Sequence, residues 1–152
     1  MKPTLFLRIS AVLSMLASLG HTFLFLTYTP SHGPQETAVV AAMKSARFHF
    51  GWPASHSYWE LYFGYGLFVA ISCFVEAVVL WQIATLAKSD PSRIKSMVAM
   101  FFFGEAGYAV LMYKYFFVIP IVVHSALVIF LAAAFFTSGS SAKTGQESLG
   151  LA

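Results

Sequence analysis

Five ionisable side chains fall inside long apolar runs: His21, Glu60, Glu76, Glu105 and His124. Such a group costs a few kcal/mol to place within a bilayer, which makes each a functional candidate by default. Two imidazoles and a carboxylate, as in His21, His124 and Glu105, are a common ligand set for a transition metal. The same two histidines would serve as axial ligands of a b-type haem. No HxxxH or ExxH spacing puts two ligands on one helix, so the sequence assigns neither group, and the cofactor is left unknown. A network in which the imidazoles bond to Ser18, Ser125, Tyr108 or a protonated Glu105 accounts for the three residues as well. For Glu76 the expected partner is Arg8, in an ion pair that holds two helices together. His56 and Glu60, at i and i+4, share one helix face as a local pair at the membrane edge.

These residues need long apolar elements to carry them, and the composition supplies these. With 59% hydrophobic and 10% charged residues and a mean hydropathy of +0.75, the 152-residue chain has too few charges to solvate a globular surface. Lipid must be the solvent for much of it. The net charge of +3 is spread along the chain without Lys/Arg blocks, which argues against nucleic acid as a partner. Cys73 is the single cysteine, so an intrachain disulfide and a CxxC redox pair are both excluded.

A bilayer span needs about 20 apolar residues at ~1.5 Å each. Four runs qualify, at about 5–29, 58–86, 94–113 and 117–136, and they predict an all-α four-helix transmembrane bundle forming one domain over 1–136. The first run also resembles a secretory signal peptide in its basic start and small residues Ser18 and Gly20. Its apolar character continues through Phe23–Leu26, which favours a retained helix. Ser10, Ser14, Ala17, Ser18 and His21 recur along it at helical spacing, a small and polar stripe suited to helix packing. Between the first two spans, Pro34–Phe48 is expected to form a short external amphipathic helix, with Val39, Val40 and Met43 on one face. Trp52, Tyr58 and Trp59 suit the headgroup level. AKSDPSRIKS is a loop, Lys114 and Tyr115 mark a tight turn, and 137–152 reads as a flexible cytoplasmic tail.

Counting from the outer span ends, His21, Glu105 and His124 lie at a common depth of roughly 12 Å. Gly20, Gly104 and Gly107 beside them leave room for close helix approach or a ligand. On the second span His56, Glu60 and Gly64 take one side, while Tyr65, Ser72 and Glu76 take the other.

LGHT at Leu19–Thr22, AMKSARF at Ala42–Phe48 and SYWELYFGYGL at Ser57–Leu67 together resemble a group of small, uncharacterised bacterial four-span membrane proteins. That resemblance implies the fold and brings no activity with it. More loosely, the HxxxE at the mouth of the second span is similar to the sterol-isomerase and sigma-2-receptor superfamily. There it would imply a sterol-binding cavity served by His56, Glu60 and Glu105, although here the HxxxE sits at the membrane edge. The layout is also distantly similar to that of DoxX-like four-helix proteins.

Two functional readings follow. One is a binder of a lipophilic small molecule, with His21, Tyr62, Tyr65, Glu105 and His124 lining the site and His56 and Glu60 at its mouth; whether it is also an enzyme is left open, and no catalytic residue is assigned. The other is a non-catalytic accessory or structural subunit of a larger membrane complex, or a homo-oligomer. Lys2, Arg8, Lys88, Arg93, Lys95 and Lys143 fall on one side of the four spans, against Lys44, Arg47 and Lys114 on the other, which predicts a bacterial inner-membrane protein with both termini cytoplasmic. A cysteine-accessibility or reporter-fusion map is expected to place both termini inside. An external C-terminus would contradict the four-span reading.

Overall fold

A computed structural model describes residues 2–49 and 55–138. Trp52 and the polar end from 139, with Lys143, lie outside the described residues. The chain is all-α apart from one short strand pair: α1 Pro3–Thr27, α2 Pro34–Ser45, β1 Arg47–Phe48, β2 His56–Ser57, α3 Tyr58–Leu86, α4 Lys95–Tyr115 and α5 Val118–Ser138. Four of these helices, α1, α3, α4 and α5, are long and apolar enough to cross a membrane. Their outward faces agree with lipid as solvent. Phe23, Phe68, Phe103, Val110 and Phe136 are all well exposed, a distribution that water would not tolerate over so large an area. The protein is a multi-pass membrane protein.

Helix ends follow local chemistry. Gly33 takes a left-handed φ of 97° just before α2, and Pro34 opens that helix, where its missing N–H costs nothing. The helix stops at Ser45, three residues short of the sequence expectation. Arg47 does not close α2 electrostatically; its Nη1 donates to Ser55 O at 3.0 Å. Arg47 and Phe48 pair instead with Ser57 and His56. On α2 only Val40 is buried, while Val39 is 59% exposed, so the apolar face is narrower than Val39, Val40 and Met43 together. The turn between α4 and α5 falls at Phe116–Phe117 rather than Lys114–Tyr115. Pro120 has no N–H to give Phe116 and its ring would meet that carbonyl, so Pro120 must lie in the first turn of a new helix.

Where the sequence reading treats 1–136 as one domain, the chain clusters into two compact units. One comprises the described residues up to Leu16 and from Phe74 onward. Within it, segments of α1, α3, α4 and α5 pack as a bundle around Leu7, Leu80, Ile94, Val98 and Leu131, with Ala11, Ala84, Ala87 and Ala134 letting the backbones approach. The loop before α4 is tied by Asp90, whose carboxyl accepts from Ser92 Oγ at 2.6 Å and from the Arg93 N–H at 3.3 Å.

The other unit is Ala17–Cys73. Ser18 Oγ donates to Ala70 O at 2.8 Å and so joins α1 to α3. Phe25 stacks on His21 at 6.1 Å and meets Tyr62 at a tilt, 5.2 Å away. Outside the spans, Glu36 gathers the loop before α2: it accepts from the Ser31 and His32 N–H groups at 2.7 and 2.6 Å and from the Tyr28 hydroxyl at 2.7 Å. The His32 N–H, followed by the Tyr28 hydroxyl, holds the Glu36 carboxyl down at about 2.

Two glycines two residues apart differ in their surroundings. A methyl group at Gly66 would run into the Phe25 ring, whereas one at Gly64 would meet nothing within 4 Å. Because Phe25 is held by neighbouring rings, Gly66→Val is expected to destabilise by about 1–3 kcal/mol in a detergent melting curve, with Gly64→Val close to neutral. Equal melting temperatures for the two variants would contradict this packing.

Candidate intramembrane polar site

The site lies wholly within the first unit and takes one residue from each of its four helices. Antiparallel packing of α1 against α3 puts Arg8 beside Trp81, with the guanidinium carbon 5.0 Å from the ring centroid. About five residues further along both helices, Ser14 comes beside Glu76. The α4–α5 hairpin, turning at Phe116–Phe117, sets Glu105 opposite His124. Their Nδ1···Oε2 distance is 2.7 Å, short enough for a charge-assisted hydrogen bond. Tyr108 packs against the His124 ring at a tilt, their centroids 5.6 Å apart. Glu105 is 2% exposed, and it neighbours Glu76 across α3 and α4. Ser14, Glu76, Glu105 and His124 therefore form one polar line through an otherwise apolar interior.

That line is incomplete at its α1–α3 end. Ser14 is fully buried, yet neither its Oγ nor Glu76 Oε1 has a well-formed hydrogen bond, although the two residues are near neighbours. Arg8 Nε is also buried without a partner. The expected Arg8–Glu76 ion pair is absent among the described residues. Its absence follows from register: Arg8 meets Trp81, more than a helical turn from the level of Glu76.

The remaining residues singled out by sequence have other surroundings. His21 and Tyr62 belong to the second unit, joined through Phe25. Tyr65 is 63% exposed and lies tilted against Phe68, 6.2 Å away. His56 and Glu60 are 3.9 Å apart and more than half exposed. The main bonds of Glu60 are to Ser57: its Oε2 accepts from Ser57 N–H at 2.6 Å, while Ser57 Oγ accepts from Glu60 N–H at 3.1 Å. That is a capping box, written in the sequence as Ser57-Tyr58-Trp59-Glu60, and it starts α3. Among the described residues no three His, Cys, Asp or Glu side chains converge to hold a metal ion.

Two open grooves, of about 360 and 370 Å³, flank α3. The smaller runs between Ala11, Val12 and Met15 of α1 and Ala77, Val78, Trp81 and Gln82 of α3. Met15 and Ala77 of its lining are the sequence neighbours of Ser14 and Glu76, which do not themselves line it.

If Glu105 and His124 act as one unit, losing either already forfeits the bond between them. The melting cost of Glu105→Gln combined with His124→Ala should then fall short of the sum of the single costs by about 0.5–3 kcal/mol, and additive losses would contradict a shared bond. Comparison with known proteins finds no matching family model, no similar curated protein and no similar solved structure, so the functional reading rests on the chemistry of Ser14, Glu76, Glu105 and His124.

Proposed function

We propose that this multi-pass membrane protein binds a lipophilic small molecule whose polar head completes the Ser14–Glu76–Glu105–His124 line. The observation that carries the reading is that two buried oxygens, Ser14 Oγ and Glu76 Oε1, make no well-formed hydrogen bond. A buried polar atom left unpaired costs about 1–3 kcal/mol, and native interiors rarely keep one without a use. A ligand bearing a donor would remove that cost. Its apolar body would lie in the groove between α1 and α3, where the lining is aliphatic and aromatic except for Gln82. Placement in a bacterial inner membrane, with both termini cytoplasmic, accords with the concentration of Lys and Arg in the 88–95 loop and near the chain ends.

Native mass spectrometry of the full chain, purified in mild detergent, tests this directly. Wild-type protein is expected to carry a bound small molecule that is lost from Glu76→Leu, a variant whose apolar replacement keeps the interior filled. Retention of the same mass by Glu76→Leu would overturn the site, and a co-purifying polypeptide in place of the small molecule would favour the accessory-subunit reading.

A further inference from the structure

We infer that an anionic diacyl phospholipid seats on the first unit where α1 begins and α3 ends, with its phosphate on Arg8 and its two chains in the grooves on either side of Gln82. The inference goes beyond the small-molecule reading and uses no member of the polar line. The two share only the α1–α3 groove, where a lipid chain and the small molecule's body replace one another.

Arg8 lies five residues from the start of α1, and Trp81 lies five from the end of α3. That level is about 8 Å from the helix ends, within reach of the headgroup zone for a long basic side chain. The guanidinium carbon stands 5.0 Å from the centroid of the Trp81 ring, a contact that uses the face of the guanidinium plane. Its N–H donors point outward in that plane and are left over. Nε is enclosed without a hydrogen-bond partner, and among the described residues no carboxylate forms an ion pair with Arg8. A phosphate oxygen at the edge of the guanidinium supplies the counter-charge that the protein does not. The surrounding charges have the same sign. Lys2, Lys88, Arg93 and Lys95 lie at this end of the unit, against Asp90 alone among the described residues. Asp90 is already met by Arg93 Nε at 3.5 Å. A basic pocket between helix ends is the pattern that holds anionic headgroups.

The grooves account for the rest of the molecule. They measure about 360 and 370 Å³, and Gln82 lines both as their one polar residue. The α1–α3 groove runs inward from Trp81 to Ala77, and the α3–α4 groove from Leu86 to Val79. Two apolar troughs of equal size beside one basic group fit a headgroup carrying two chains, whereas a free phosphate ion would leave both unfilled. Chain contacts with protein replace similar contacts with lipid and discriminate little. Selection therefore rests on the charge at Arg8.

Brominated chains quench an indole that they touch, and Trp81 is the reporter once Trp52→Phe and Trp59→Phe remove the other two tryptophans. The full chain is placed in vesicles of mixed phosphatidylglycerol and phosphatidylcholine, with bromine on one lipid or on the other. Quenching is expected to report about fivefold preference for the anionic lipid. Arg8→Gln should bring the preference to about one, Arg8→Lys should keep most of it, and Lys114→Gln at the opposite ends of the spans should leave it unchanged. Moving the reporter to the other groove, with Phe101→Trp and Trp81→Phe, is expected to show the same preference. Melting curves check that each variant is folded, and the comparison on the Arg8 protein stands even if Arg8→Gln fails to fold. Equal quenching by the two brominated lipids would overturn the inference, as would a preference that survives Arg8→Gln or one abolished by inorganic phosphate. A preference confined to Trp81 would overturn the two-chain arrangement. None of these outcomes bears on the small molecule, whose mass is read separately in the native spectrum.

Discussion

A carboxyl group in the interior of a membrane protein must be answered by another polar group, because neither lipid nor packed side chains can solvate it. In this chain Glu105 is answered by His124, 2.7 Å away on the next helix. That bond constrains the register of the α4–α5 hairpin, since a slip of one residue would turn either group about 100° away from the other. The turn at Phe116–Phe117 and the placement of Pro120 in the first turn of α5 are consistent with the same register. Glu76 and Ser14 then extend the polar line to α3 and α1, so that every helix of the unit contributes one member.

Around that line the packing is made from small residues. Ala11, Ala84, Ala87 and Ala134 are buried with Leu7, Leu80 and Leu131, and close backbone approach takes over the role that the hydrophobic effect plays in water. Large aromatic side chains face outward, where lipid accommodates them. In the Ala17–Cys73 unit the logic is different, because aromatic rings around Phe25 fill the interior and Gly66 is the position where that ring comes close. Outside the spans the Tyr28–Glu36 bond and the Ser57–Glu60 box fix the starts of α2 and α3 by hydrogen bonds that water-exposed chain can also use.

The four apolar helices were legible from composition and run length alone, since a stretch of 20 apolar residues has few other uses. Counting depth along the spans set His21, Glu105 and His124 level, because a straight helix converts residue number into distance; Glu105 and His124 do pair, whereas His21 belongs to the Ala17–Cys73 unit. The partner of Glu76 was not legible in the same way. Pairing it with Arg8 presumed a register between α1 and α3 that no single helix encodes, and the observed register puts Trp81 there. Ser14 is visible as part of a small-residue stripe, but its place beside Glu76 is a property of the packed state. The capping box at Ser57 and Glu60 is readable in the sequence, although the HxxxE pattern overlaps it. Strand β1 was missed for another reason: Arg47 and Phe48 continue the helical pattern locally, and only pairing with His56 and Ser57 pulls them out of it.

The account gives the polar line a single purpose, to hold the polar head of a lipophilic molecule at Ser14 and Glu76. It is tested most directly by the native mass spectrum of the full chain in mild detergent. The account predicts a bound small molecule on the wild-type protein that is absent from Glu76→Leu. A wild-type spectrum without any bound small molecule, or the same bound mass on Glu76→Leu, would contradict it.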